Sequence, residues 1–142
     1  MISSAHFHPM MVHFPIAIIT VGFLFDLASL FLKKYSWLIK TGYWLEIIGM
    51  AGTILAFGTG YFLTSPMEGE AGLIRDKHEL FATLTLITII VATLFRIVIN
   101  HLGKYETQLK YVSLGLFFLA MAFISITGYF GGSLVIDYMI GL

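Results

Sequence analysis

The chain has no cysteine, three prolines, and charge on only 11% of its 142 residues. The missing cysteine excludes disulfides, iron–sulfur clusters, thiolate zinc sites, cysteine nucleophiles and the attachment motif of c-type haem. The missing charge is as informative, because a water-soluble domain of this size carries about 25% charged residues. Eight basic residues balance eight acidic ones, so no basic face is available for nucleic acid. With 58% hydrophobic residues the chain is not a disordered tail either. What is present reads as one integral membrane domain covering residues 1–142. Its chemistry must come from five histidines, eight acids, seven tyrosines and seven methionines.

Four stretches are long enough to cross a bilayer, which takes about 20 apolar residues. The expected helices cover about 9–33, 42–64, 77–100 and 110–134. Asp26 interrupts the first, Glu46 lies near the start of the second, Arg96 lies near the end of the third, and the fourth is uncharged from Tyr111 to Ile136. Alanine, leucine and isoleucine dominate over strict alternation, so the spans are helices and not barrel strands. The fold class is an all-α membrane protein with four transmembrane helices. Met1-Ile2-Ser3-Ser4 lacks a basic leader and a cleavage site, so the first helix is expected to be retained.

An even number of spans puts both termini on one side. Lys33, Lys34, Lys40, Arg96, Lys104 and Lys110 gather at the two loops of the opposite side, against Arg75 and Lys77 on the terminus side. The positive-inside rule makes the two-loop side cytoplasmic. The expected location is a bacterial inner membrane with both termini periplasmic.

The second span ends Thr59-Gly60-Tyr61-Phe62 and the fourth ends Thr127-Gly128-Tyr129-Phe130, 68 positions later. The first and third spans begin with His13 and His78 and carry Leu24-Phe25-Asp26 and Leu94-Phe95-Arg96. This pattern predicts a tandem repeat of a two-helix hairpin, with a pseudo-two-fold axis along the membrane normal. The offsets are 65 for His13 and His78, 68 for the tetrapeptides and 70 for the Leu-Phe pairs; by register, His8 is almost as good a partner for His78. Small residues recur on the even spans, at Gly52, Ala56 and Gly60 and at Ser125, Gly128 and Gly132, where they allow close backbone approach or leave room for a flat ring.

His6, His8, His13 and His78 fall on the terminus side with Met10, Met11, Met67 and Met139, and His101 alone lies opposite. Pro9 fits a first helical position, and Pro15 would bend the first helix. Asp76-Lys77-His78-Glu79 reads as a capping box, which puts His78 in a first turn where the helix N-terminus disfavours imidazolium. Asp26 and Arg96 are charges inside the membrane and are expected to pair across the repeat axis, with Glu46 as a competing partner for Arg96.

The opening His8-Pro9-x-x-x-His13-Phe14-Pro15 motif resembles that of an uncharacterised bacterial four-helix membrane-protein family, a domain of unknown function. Its members keep a histidine at the head of the third helix and end in Gly-Gly-x-Leu-Val; here these are His78 and Gly131 to Val135. The resemblance covers essentially the whole chain. Relatives often carry a tyrosine and a histidine after Leu-Val, where this chain has Ile136 and Tyr138, so no fourth histidine ligand carries over. Some relatives look fused to redox domains, which implies electron-transfer company.

Three functional readings stand. The first is a b-type haem in electron transfer near the periplasmic face, ligated by His13 and His78 with His8 in reserve. Gly60, Gly128, Tyr61 and Tyr129 would lie beside it, since four-helix bundles hold cofactors between facing helices. A second haem would need histidines about 13 or 14 residues further along, where Asp26, Leu27, Val91 and Ala92 stand, so no relay crosses the bilayer. The second reading is a copper or zinc site from His6, His8, His13 and His78 with acids or methionines. The third is a cofactor-free accessory subunit docked by its glycine faces to a larger complex. No nucleophile–base pair can be read from spacing, which argues against an enzyme. Expected partners are the lipid bilayer and a periplasmic electron-transfer protein or larger respiratory complex, with no nucleic acid.

Overall fold

The computed structural model describes the backbone of residues 4–138 and the side chains of residues 7–138. The order is α1 (Ser4–Phe31), α2 (Trp37–Leu63), α3 (Gly69–His101) and α4 (Leu109–Tyr138), with no strand among the described residues. All four helices are long and apolar enough to cross a membrane. At about 1.5 Å per residue each exceeds the roughly 30 Å of hydrocarbon.

The breaks follow from local chemistry. After α2, Thr64 is extended and Ser65 precedes Pro66, a position that steric clash keeps out of the helical region. Gly69, at φ 65°, then turns the chain into α3. At the far end of α3, Gly103 also takes φ 65°, with Gly103 N–H bonded to the Asn100 carbonyl and Lys104 N–H to the Ile99 carbonyl at 2.8 Å. This is a Schellman closure, which satisfies the last carbonyls of the helix.

Two expected boundaries move. α1 begins at Ser4, so Pro9 lies inside the helix and not at its first position. α3 begins at Gly69, so Asp76 is interior and is not an N-cap. Nothing between Glu70 and Arg75 breaks a helix, whereas Pro66 and the left-handed Gly69 do. The capping-box reading of residues 76–79 therefore fails, and with it the dipole argument for His78.

α1 packs on α2 and α4, and α3 packs on the same two helices. α1 and α3 therefore stand on one diagonal of the bundle. The core holds Ile19, Phe23, Ile89, Phe117, Ala120 and Ile124. On α1 the buried positions include Pro15, Ile19, Gly22, Phe23 and Asp26, and on α3 they include Thr85, Ile89, Ala92, Thr93 and Arg96, each 70 residues later. On α2, Gly42, Glu46, Gly49 and Thr53 are buried; on α4, so are Ser113, Phe117, Ala120 and Ile124, each 71 residues later. α2 uses glycine where α1 lies against it: a Cβ on Gly49 would stand 2.6 Å from Ile19 Cγ1. The small residues on α4 are used unevenly. Gly128 meets Ile16, while Gly132 has nothing within 4 Å and Ser125 is exposed.

Candidate functional site

The two ends of the α1–α3 diagonal each carry a polar cluster. At the end bearing the termini, the rings of His8 and His78 lie 6.2 Å apart between centres and nearly perpendicular, at 82°. His13 is elsewhere. It is exposed, and its Nδ1 lies 2.7 Å from the Pro9 carbonyl of its own helix. His8 is the histidine in step with Asp26, Ile19 and Pro15 on the inner face of α1. His13 is five residues along from His8, which turns it about 140° away. The pairing offset is thus 70, the same as that of Asp26 and Arg96.

Hydrogen bonds set the tautomer of both rings. The Thr59 hydroxyl donates to the Ala56 carbonyl at 2.8 Å, so its oxygen can only accept from His8 Nδ1, 2.9 Å away. His78 Nδ1 lies 3.0 Å from the Thr127 carbonyl, which has no proton to give. Both imidazoles therefore carry the proton on Nδ1 and leave the Nε2 lone pair available. A ring nitrogen anchored to an oxygen while the other stays basic is the arrangement that orients metal-ligating histidines. These bonds select the tautomer of the neutral rings, an ordering that helix N-termini do not provide.

Glycine lets each ring lie against the neighbouring helix. A Cβ on Gly60 would fall 2.9 Å from His8 Cε1, and one on Gly131 would fall 3.1 Å from His78 Cε1. Gly131, not Gly128, is the counterpart of Gly60 at this site. The space beside Gly60 and Gly131 is filled by imidazole. Tyr61 and Tyr129 point outward, with each ring against the phenylalanine that follows it. Sequence reasoning missed Thr59, Thr127 and Gly131 as site residues, although both threonines open the repeated Thr-Gly-Tyr-Phe motif. Among the described residues no three histidine or acidic side chains converge as a metal site. The side chain of His6 and all of Met139 lie outside the described residues.

At the other end of the diagonal, Arg96 pairs with Asp26 and also with Glu46, whose Oε2 lies 2.7 Å from Nη1. Nη2 donates to Asp26 Oδ1 at 2.8 Å and also approaches the Ile39 carbonyl and the Tyr105 hydroxyl, both at 3.3 Å. The rings of Tyr43 and Tyr105 flank the guanidinium, with centres 5.5 and 5.2 Å from its carbon. Burial pushes the Tyr105 phenol up to about 12 against the downward pull of Arg96.

A family model described as "Predicted membrane protein (DUF2231)" matches residues 5–142. No curated protein and no solved structure matches the chain.

Proposed function

The chain belongs to the membrane-protein family matched over residues 5–142, and we propose that it is a b-type haem protein of electron transfer, with His8 and His78 as the residues that would hold the haem. The observation that carries this is the pair of Nδ1-anchored imidazoles, both with basic Nε2 atoms, on diagonal helices. Two imidazoles bound to one metal at about 2 Å each hold their centres roughly 6 Å apart, and these centres are 6.2 Å apart. A porphyrin iron needs only two protein ligands, whereas structural zinc takes four and catalytic zinc three. The donor set therefore fits haem better than zinc. Bound there, the haem would take up and release one electron. Thr59 and the Thr127 carbonyl would hold the imidazoles in orientation, and Gly60 and Gly131 would let them lie close against the helices.

The burial patterns at 70 and 71 positions support reading the two hairpins as copies about a two-fold axis. The uneven basic count supports a periplasmic location for the histidine end in a bacterial inner membrane. The electron partner is then a periplasmic carrier or a larger respiratory complex meeting that end.

The absorption spectrum of the purified protein tests the reading. We expect a Soret band with sharp reduced α and β bands, lost in His8→Ala and in His78→Ala but kept in His13→Ala. A wild-type protein without haem after expression with ample haem supply would reject it. If that protein carried copper or zinc, the metal reading would replace it; with neither, the accessory-subunit reading would.

A further inference from the structure

The cluster around Arg96 holds more acid than base. Asp26, Glu46 and Arg96 are 3%, 0% and 1% exposed, so two carboxylates share one guanidinium in the membrane interior. Asp26 engages both terminal nitrogens of Arg96. Glu46 receives one bond, at Oε2, and its buried Oε1 has no partner among the described residues.

Among the described residues, the groups around Glu46 offer no second cation. α1 contributes Asp26, α3 contributes Arg96, and α2 itself adds the phenol of Tyr43. The loop after α3 contributes Tyr105, whose raised phenol stays protonated. In this half α4 has Lys110, which lies 3.7 Å from Glu106, and the exposed Tyr111. Lys33, Lys34 and Lys40 are exposed. An uncompensated charge buried in this setting is strongly unfavourable, and adding a proton removes it.

We infer that Glu46 is a proton-binding site: it carries a proton on Oε1, while Asp26 is the ionised partner of Arg96. The binding step adds one H⁺ to one carboxylate oxygen and takes the cluster from a net charge of −1 to zero, with no other bond changed. Tyr105, half-buried and within 3.3 Å of Arg96, covers the cluster from the loop side and marks the nearest approach for solvent protons. Asp26 is 18 residues from His8, about 27 Å along the helix, so this site stands or falls independently of haem.

The test is infrared spectroscopy of the full chain in detergent at neutral pH. A carbonyl band of a protonated carboxylic acid is expected, shifting when H₂O is replaced by D₂O and moving when glutamate, but not aspartate, carries ¹³C. The other glutamates, Glu68, Glu70, Glu79 and Glu106, are exposed to solvent, so Glu46 is the one buried glutamate that the label can report. The band should vanish in Glu46→Gln, which keeps the neutral shape. It should also vanish in Asp26→Asn, where Glu46 becomes the only anion left for Arg96. Absence of the band in the wild type, its assignment to aspartate, or its survival in Glu46→Gln would overturn the inference. The isotope labels decide the matter in the wild type even if neither variant folds.

Discussion

Arg96 stands on α3 where Asp26 stands on α1, 70 residues earlier, and the two side chains meet across the diagonal of the bundle. Residues in corresponding places on diagonal helices face one another when the bundle has approximate two-fold symmetry. His8 and His78 do so at the opposite end, with the same separation in sequence. One register thus accounts for both polar clusters.

Replacing Arg96 should be the most damaging single change at the loop end. Arg96→Met removes the only buried cation among the described residues and leaves Asp26 and Glu46 facing each other. Losing one partner of a buried ion pair costs about 3–5 kcal/mol. The expected outcome is a large drop in the thermal midpoint in detergent. The triple change Asp26→Leu, Glu46→Leu, Arg96→Met should recover much of that loss, because well-packed apolar side chains replace a buried ion pair at little net cost. A triple variant as unstable as Arg96→Met would show that the cluster contributes more than its charge balance.

The glycines divide into two groups with opposite expectations. Gly60→Ala and Gly131→Ala put a methyl group 2.9 and 3.1 Å from the His8 and His78 rings. Each should displace its imidazole while the bundle stays folded, lowering haem content or shifting the spectrum. Gly115 and Gly132 have nothing within 4 Å of a built Cβ. Alanine there should leave the spectrum unchanged and raise helix stability by up to about 1 kcal/mol. Spectra and melting curves of the four variants check both halves of the statement.

The sequence made the four helices and the membrane class legible because long apolar runs need no partner to be recognised. The Asp26–Arg96 pair was legible for a related reason, since charges inside a membrane must find each other. The choice between His8 and His13 was not. Both sit near prolines in one dense motif, and only the inward phase of α1, fixed by Pro15, Ile19 and Asp26 together, separates them. The repeated Thr-Gly-Tyr-Phe motif misled by three residues, nearly one turn. Its 68-residue spacing pairs Gly60 with Gly128, while the packing pairs Gly60 with Gly131 at 71. The start of α3 was obscured because polar residues continue the helix beyond its apolar portion.

Alkaline pH should weaken the fold through Tyr105. Its phenol lies near 10 in an unfolded chain and at about 12 in the folded protein, raised chiefly by burial. A raised acid favours the protonated native form, so its contribution is complete below pH 10 and is lost as pH climbs toward 12. Melting midpoints measured across that interval should fall more steeply in the wild type than in Tyr105→Phe, which has no proton to lose. Equal slopes would mean that the phenol is not buried in the folded protein.

Orientation rests on the distribution of basic residues, and it decides which compartment the histidine pair serves. Ser65, exposed in the connection between α2 and α3, lies on the histidine side; Lys104, exposed after α3, lies on the Arg96 side. The native chain has no cysteine, so single cysteines at these two sites report without background. Lys34, Lys40, Lys104 and Lys110 flank the Arg96 side, and the positive-inside rule assigns the side with such a surplus near short loops to the cytoplasm. A membrane-impermeant maleimide added to intact spheroplasts should therefore label Ser65→Cys and spare Lys104→Cys until the membrane is opened. The reverse pattern would place His8 and His78 on the cytoplasmic face, and a periplasmic electron carrier could no longer be their partner.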